Sequence, residues 1–498
     1  MNKRFIALLL CLSLFATILA GCGGNEDETV SAFGTNEENT EQTTEKPVEE
    51  PTENPTEKPS NNPTEEPTEE PTTETETETE TETETETETE TETETESETE
   101  TLPYDIYAKD LSDEMLDLFS GDTVKNESVM FLDYGDTKSL MFKIDEIISV
   151  TSYGGDITYV EGVDYEFVNG KIKILEGSSI PCITRDVFYN NETNSDTLVT
   201  KYNGEKYKTY WGEGTTMTQW QVNVTYKHSD SWDKFEQTDS IEVYKDFLDK
   251  LAAGEDVTIV FYGDSITRGA NSSFFVNTPP YQYSYPMLFT YTLADLFGYT
   301  VKHEITFMTK TFGSEEEKPH ELIGNYFGGN RGTIRLINAS VGGWASGGAV
   351  NNCPSYVTDF TAQYGCDLFI YAFGMNDAGT GVKNFQTNMK KVVDMVVKQH
   401  PETSVMLVST MVPNPDAVNG WYGNQEAFEE PMIASAKAYT REGTPCAVAC
   451  VTSMSKAILE NKNFYDYAAN NINHPNDFFM RVYAQTLFRT LIGYDNLK

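Results

Sequence analysis

Short apolar runs alternate with amphipathic stretches from about residue 240 to the end of the chain. Five runs have the apolar, β-rich character of buried strands: 257–262, 334–339, 367–373, 404–410 and 446–451. Helical periodicity lies between and after them, most clearly in four stretches: 285–297, 383–399, 425–441 and 477–492. Because strands and helices alternate, we predict a three-layer α/β domain with a parallel sheet over residues 239–498.

Residues 103–238 show a different pattern, with short alternating stretches rich in Tyr, Thr, Val and Gly. Asn169-Gly170 separates two of these stretches and is a strong hairpin signal. The pattern predicts a smaller, sandwich-like antiparallel β domain before the α/β domain. Its three tryptophans suit either carbohydrate binding or ordinary packing, of which packing is the commoner role: Trp211, Trp220 and Trp232.

The N-terminus has the features of a targeting segment. Lys3 and Arg4 precede an apolar run, 5–19, that is too short for a stable membrane span. The run ends in Leu19-Ala20-Gly21-Cys22, which resembles the lipobox of bacterial lipoproteins. The resemblance implies a signal peptide at 1–21, lipidation of Cys22 and a membrane anchor on the extracellular face of the cell surface. A plain signal peptide followed by an accidental Cys is the alternative.

Residues 22–102 form a predicted disordered tether. From residue 25 to 101 the chain has 29 acidic and 2 basic residues, in Pro-Thr-Glu and Thr-Glu repeats, so most of the net charge of −45 lies here. Such a segment cannot bury enough apolar surface to fold, and its like charges keep it extended. The acidity of the chain argues against nucleic acid as a partner.

Residues with catalytic potential follow the predicted strands in order. Gly263-Asp264-Ser265 ends the first strand, Gly342-Gly343 follows the second, Gly374-Met375-Asn376-Asp377 follows the third, and His474 precedes the last helix. The carboxyl ends of parallel strands meet at one edge of a sheet, where sites form. A Ser hydroxyl becomes a nucleophile when a base takes its proton, and a neutral His near pH 7 is such a base. We therefore expect Ser265 and His474 to act together.

With these four blocks, the chain resembles the SGNH branch of the GDSL esterase/lipase family over roughly residues 255–495. The resemblance implies a flavodoxin-like arrangement of the α/β domain. It also implies that the backbone N–H groups of Ser265 and Gly343 and the side-chain amide of Asn376 stabilise the oxyanion that forms when an ester is attacked. Such a donor is typically worth a factor of about 10² to 10³ in rate.

The third member of the triad departs from the family pattern. The family usually has an Asp three residues before the catalytic His, and this chain has Asn471 there. An Asn carbonyl oxygen can accept a hydrogen bond from the imidazole and orient it, but it brings no charge. We therefore expect either Asn471 to orient His474, or a Ser-His dyad, or another acceptor.

The sequence thus predicts a surface-anchored serine esterase that needs no cofactor and no metal. Compartment and family analogy favour acyl esters, above all acetyl esters, on polysaccharides as the substrate. Two alternatives stay open. One is a lipase or lysophospholipase, and the other is a catalytically weak surface protein that binds carbohydrate.

Overall fold

The computed structural model describes residues 111–112, 114–190, 196–304 and 325–493. These residues belong to one compact unit, Thr101–Lys498. We call residues 111–238 the β region and residues 239–493 the α/β region; the predicted domain boundary between them stays a prediction. The predicted signal peptide, the tether and Cys22 lie outside the described residues. Within the described part of the chain, no helix has the length and apolarity needed to cross a bilayer.

The β region consists of antiparallel strands, as the alternating pattern predicts. The strands are β1 (Thr123–Met130), β2 (Thr137–Lys138), β3 (Glu146–Ser152), β4 (Tyr165–Val168), β5 (Lys171–Ile174), β6 (Val199–Tyr202), β7 (Glu205–Lys208) and β8 (Gln221–Lys227). They form the sheets β1-β8-β3 and β2-β5-β4 and the hairpin β6-β7. Asn169-Gly170 and Asn203-Gly204 close the hairpins β4–β5 and β6–β7 with positive φ at both turn residues.

The α/β region contains the predicted parallel sheet. Its strands are β9 (Val257–Gly263), β10 (Thr300–His303), β11 (Tyr326–Phe327), β12 (Thr333–Asn338), β13 (Leu368–Ala372), β14 (Ser404–Val408) and β15 (Cys446–Ala449). Their order is β11-β10-β12-β9-β13-β14-β15, with β11 antiparallel to β10 and the other neighbours parallel. This arrangement confirms the predicted α/β fold class.

Helices cover the sheet and connect its strands. The α-helices of the described residues are α1 (Arg185–Tyr189), α2 (Lys245–Ala253), α3 (Ser265–Arg268), α4 (Tyr285–Phe297), α5 (Ser346–Cys353), α6 (Asp359–Tyr364), α7 (Val382–Gln399), α8 (Glu429–Arg441), α9 (Val451–Leu459) and α10 (Asp477–Ile492). Single turns of other helix types occur at Thr218–Trp220, Pro354–Thr358, Gln425–Ala427 and Phe464–Asp466. In the α/β region the sequence pattern predicts the strands and the longer helices around the catalytic blocks, but it misses β10, β11, α3, α5, α6 and α9.

Helix α10 is buried along its whole length, although a helix at the surface of an α/β domain normally has one exposed face. The β region covers that face. Arg481 donates to the carbonyl oxygens of Lys125 and Asn126 at 2.8 and 2.7 Å, and Arg489 donates to the carboxylate of Asp117 at 3.0 Å. Two charged side chains of α10 therefore bind the β region rather than solvent.

A fully buried ion pair joins the two regions. Lys462 Nζ lies 2.7 Å from Glu127 Oε1, and both side chains are 0% exposed. Lys462 also donates to the carbonyl oxygen of Ser128 at 2.7 Å, and Glu127 accepts from the hydroxyl of Tyr226 at 2.7 Å. Both charges thus have additional hydrogen bonds, which is the condition under which a buried pair is tolerated.

A second polar network lies beside this pair. Asp466 accepts from Lys138 at 3.3 Å, and Gln221 Nε2 donates to the carbonyl oxygens of Tyr465 and Ala468 at 2.9 and 2.8 Å. Asn476 Nδ2 donates to Gln221 Oε1 at 2.8 Å. The segment 461–476, which carries His474, is therefore bound to the β region at several points.

We predict that Lys462→Met lowers the free energy of unfolding by about 3–5 kcal/mol, because it leaves the charge of Glu127 buried without its partner. Urea denaturation of the full chain measures the change. Lys227→Met is the matched control, since Lys227 pairs with Glu146 on an exposed surface and should have a much smaller effect. Equal effects of the two substitutions would contradict the importance of the buried pair.

Candidate active site

Ser265 lies at a sharp turn between β9 and α3. Gly263 ends the strand, and a Cβ at this position would clash with the side chain of Thr267 and lie 2.7 Å from the carbonyl oxygen of Ala372. Asp264 then caps the helix by accepting from the backbone N–H of Ile266 at 3.0 Å. The turn places Ser265 at the carboxyl end of β9, as the sequence predicts.

The structure brings His474 to Ser265. The imidazole Nε2 and the Ser265 Oγ are 2.9 Å apart, and the two residues are only 7% and 8% exposed. The loop before α10 holds the imidazole in place, because Asn470 Oδ1 accepts from the backbone N–H groups of Ile472, Asn473 and His474, each at 2.9 Å. Ser265 and His474 therefore have the geometry of a nucleophile and its general base.

The other imidazole nitrogen contacts a residue of the β region. His474 Nδ1 lies 3.1 Å from Glu213 Oε2, and the Glu213 side chain is 25% exposed. Glu213 Oε1 accepts from Asn470 Nδ2 at 3.0 Å. No sequence pattern marks Glu213, which is one of 80 acidic residues and lies more than 250 positions before His474.

The two groups shift each other's proton affinity. Burial lowers the pKa of His474, but the charge and hydrogen bond of Glu213 and the charge of Asp264 outweigh it, so the pKa of His474 is raised. Burial raises the pKa of Glu213, but the charge and hydrogen bond of His474, with the amides of Asn470 and Asn271, outweigh it and lower that pKa. Both shifts favour an ionic pair of imidazolium and carboxylate.

The expectation that Asn471 orients His474 is wrong in the structure. Asn471 Nδ2 donates to the carbonyl oxygen of Tyr210 at 2.7 Å, and the Asn471 side-chain and main-chain oxygens accept from Asn414 at 3.3 and 2.8 Å. Asn471 also has φ +61°, in the left-handed region that Asn adopts more readily than most residues. The position that would carry the acid by family resemblance is used for a loop contact.

The two other predicted oxyanion residues lie beside one another. Asn376 Nδ2 donates to the carbonyl oxygen of Trp344 at 3.1 Å, which places the amide against the Gly342-Gly343-Trp344 turn. A Cβ on Gly342 would lie 3.7 Å from Ser265 Cβ, so this turn also adjoins the nucleophile. Gly343 is exposed and has φ +79°, a conformation that favours glycine.

Asp377 and Asp264 each form hydrogen bonds within the loops of the site rather than with Ser265 or His474. Asp377 accepts from the backbone N–H and the hydroxyl of Ser346 at 2.9 and 2.6 Å, and so fixes the start of α5 behind the Gly342-Gly343 turn. Burial raises the pKa of Asp264 to about 7, with opposition from the N–H of Ile266 and the charge of His474. No group of three or more His, Cys, Asp or Glu side chains that could hold a metal ion occurs among the residues that the structure describes.

One family model matches part of the chain. Residues 259–480 match the family model described as GDSL-like Lipase/Acylhydrolase, a range that includes Ser265, Gly343, Asn376 and His474 but not Glu213. No curated protein matches the chain.

Similar solved structures include two esterases and TesA. One is a two-domain esterase (CEX) active on acetylated mannans, co-crystallized with mannopentaose, at 17% identity over 51% of this chain and 54% of that chain, TM-score 0.33. The second is the acetyl xylan esterase AlAXEase, at 18% identity over 47% of this chain and 98% of that chain, TM-score 0.30. The third is TesA, at 17% identity over 47% of this chain and 98% of that chain, TM-score 0.29. The match thus spans about half of the length of the two-domain esterase.

We predict that Asn376→Ala lowers kcat for ester hydrolysis by about 10²- to 10³-fold, because it removes the amide that the family resemblance assigns to the oxyanion. Initial rates with a chromogenic ester measure the effect. Asn352→Ala is the matched control, since Asn352 is a half-buried Asn that also donates to a backbone carbonyl, that of Gly348 at 2.9 Å. A kcat of Asn376→Ala equal to that of the control would contradict this role.

Proposed function

We propose that the carboxylic ester hydrolase formed by residues 259–480 works through an acyl-enzyme, with Ser265 as nucleophile and His474 as general base. The observation that carries the proposal is the 2.9 Å separation between Ser265 Oγ and His474 Nε2. An imidazole at this distance can accept the hydroxyl proton as the oxygen attacks. The raised pKa of His474 keeps the transferred proton on the imidazole while the intermediate exists.

The proposed reaction has two halves. In the first, Ser265 Oγ bonds to the acyl carbon, His474 holds the proton, and the carbonyl oxygen becomes an oxyanion that accepts from the N–H groups of Ser265 and Gly343 and from Asn376. The ester C–O bond then breaks, the proton passes to the alcohol, and the acyl group stays on Ser265. In the second half, water takes the place of the alcohol, and the acid is released. Asn376 Nδ2 has two hydrogens, so one remains for the oxyanion while the other binds the Trp344 carbonyl.

We propose acetyl esters of polysaccharides at the cell surface as the substrate class. The support is the predicted lipid anchor at Cys22 and the acidic tether that follows, which would hold the enzyme outside the membrane. The low exposure of Ser265 and His474 leaves little free surface at the reacting atoms, which favours a small acyl group.

A lipase is the alternative that the structure favours less. Lipid substrates call for an apolar surface around the nucleophile. The loop after β14 packs beside Asn376 and Asp377. Among the described residues, Val418 and Tyr422 are the only exposed large apolar side chains on this loop. Most of the other exposed large apolar side chains lie in the β region. A protein that only binds carbohydrate would not require the hydrogen-bonded contact between Ser265 and His474, so this alternative does not explain it.

We predict that Ser265→Ala and His474→Ala each reduce hydrolysis of p-nitrophenyl acetate by at least about 10³-fold without loss of fold, since nucleophile and base are both required. Ser355→Ala, which changes an exposed Ser on the same region, is the control. Near-normal hydrolysis by a folded Ser265→Ala variant would rule out the mechanism.

We further predict that activity falls from acetate to butyrate to octanoate esters, because the site favours a short acyl chain. Values of kcat/KM for the three p-nitrophenyl esters measure the preference. Release of acetate from acetylated polysaccharides, followed by chromatography, tests the natural substrate class directly. Higher kcat/KM for octanoate than for acetate would favour the lipase alternative instead.

We also predict that Cys22→Ser releases the protein into the medium or stalls its processing, because the acyl chains on Cys22 are the proposed anchor. Cell fractionation and immunoblotting of full-length protein measure its distribution. A Cys22→Ser protein that is processed normally and stays equally bound to membranes would contradict lipidation at this residue.

A further inference from the structure

We propose that the β region completes the active site by supplying Glu213 as the positioning residue of His474, in place of the acid that family resemblance puts at position 471. The inference rests on the proposed Ser265–His474 mechanism and extends it to a residue outside the segment that the family model matches. It also gives the β region a role in the reaction, where the sequence suggested packing or carbohydrate binding.

The contacts of Glu213 are those of a group that orients an imidazole. Glu213 Oε2 accepts from His474 Nδ1 at 3.1 Å, which leaves Nε2 to face Ser265 Oγ at 2.9 Å. Glu213 Oε1 accepts from Asn470 Nδ2 at 3.0 Å. Because each carboxylate oxygen has its own partner, the carboxylate cannot rotate without losing a hydrogen bond. This arrangement selects the tautomer of His474 that accepts a proton from Ser265.

The charge of Glu213 adds to its orienting effect. When His474 takes the proton of Ser265 it becomes a buried cation, which is costly without a nearby anion. Glu213 supplies that anion in direct contact. Asp264, in the nucleophile turn, adds a smaller negative charge when it is ionised, above its pKa of about 7. Among the described residues, these are the two carboxylates whose charges act on His474.

The loop that carries Glu213 is held by the loop that carries His474. Asn471 Nδ2 donates to the carbonyl oxygen of Tyr210 at 2.7 Å, and the backbone N–H of Gly212 donates to the carbonyl oxygen of Asn470 at 3.4 Å. A carboxylate at 471 could not donate to the Tyr210 carbonyl. The amide at position 471 therefore has a physical reason: it fixes the segment from which the acid comes.

Further contacts fix this loop from the other side. The carbonyl oxygen of Glu213 accepts from the hydroxyl of Thr216 at 2.8 Å and closes a tight turn. The preceding hairpin β6–β7 is paired with the loop after β14, where Lys201 N–H donates to the Asp416 carbonyl oxygen at 2.8 Å and Val418 N–H donates to that of Val199 at 2.9 Å. Glu213 is thus placed by backbone contacts as well as by its own side chain.

The test is the pH dependence of kcat/KM for Glu213→Gln in the full chain. This variant keeps the size of the side chain but removes its charge. We expect kcat/KM on its plateau to fall by about 10²- to 10⁴-fold, where the upper figure is that for loss of the triad Asp in serine proteases. Neutral His474 is the active form, and activity is lost as the pH falls through its pKa. Removing Glu213 lowers that pKa, so the acid limb of the profile should move to lower pH.

Three variants make the result decisive. Glu213→Asp keeps the charge, so it should retain more activity than Glu213→Gln and keep its acid limb close to the wild-type pH. Glu205→Gln removes an exposed carboxylate of the β region and should change neither the plateau kcat/KM nor the position of the acid limb. Adding Asn471→Asp to Glu213→Gln should not restore activity, because the side chain at 471 points to Tyr210.

Several outcomes would overturn the inference. Glu213→Gln with wild-type activity, or with reduced activity and an unmoved acid limb, would show that Glu213 does not act through the charge of His474. Recovery of activity in Glu213→Gln/Asn471→Asp would place the acid at 471. If Glu213→Gln does not fold, Glu213→Ala takes its place, and a folded Glu213→Ala variant with wild-type kcat/KM or an unmoved acid limb would overturn the inference. If Ser265→Ala loses activity while Glu213→Gln keeps wild-type activity, only this inference is refuted. If Ser265→Ala keeps wild-type activity, the proposed mechanism itself is refuted.

Discussion

The hydrogen bond between Glu213 and His474 joins two residues that are 261 positions apart, and it depends on a rigid contact between the β region and the α/β region. A hydrogen bond of this kind weakens steeply with distance and angle. The interface provides the required rigidity through buried polar groups as well as apolar packing. The Glu127–Lys462 pair and the contacts of Asp466 and Asn476 hold the segment 461–476 against the β region. His474 is part of that segment.

This interface explains other features of the fold. Helix α10 is buried on all sides because the β region covers the face that would otherwise meet solvent. Arg481 and Arg489 are tolerated within it because they bind main-chain oxygens and a carboxylate of the β region. One continuous apolar core accordingly includes residues of both regions. A β region with this many buried contacts is part of the enzyme rather than a separately attached binding module.

Much of the fold could be predicted from the sequence, because local patterns determine it. The apolar runs of β9 and β13 predict buried parallel strands, and Asn169-Gly170 predicts its hairpin, since each signal lies within a few residues. The structure also brings Ser265, Gly343, Asn376 and His474 together at the sheet edge, as their order after the strands predicts.

The acidic residue that contacts His474 could not be predicted in this way. Glu213 lies in an irregular loop of the other region, in a chain with 80 acidic residues, so no spacing rule connects it with His474. The same holds for Lys462 and Glu127, which the sequence does not mark as partners. The only local sign was the Asn at position 471, which shows that the usual acid is missing but not where its substitute lies. Contacts between distant segments become visible only when the regions are packed together.

The pKa of His474 tests the account most directly. NMR of histidine-labelled full-length protein can resolve it, because the chain has only five histidines and His474→Gln identifies the signal. We expect a His474 pKa above the ordinary value of 6.5, and a lower pKa in Glu213→Gln. A pKa at or below 6.5, or one that Glu213→Gln leaves unchanged, would contradict the claim that the β region supplies the charge that serves His474.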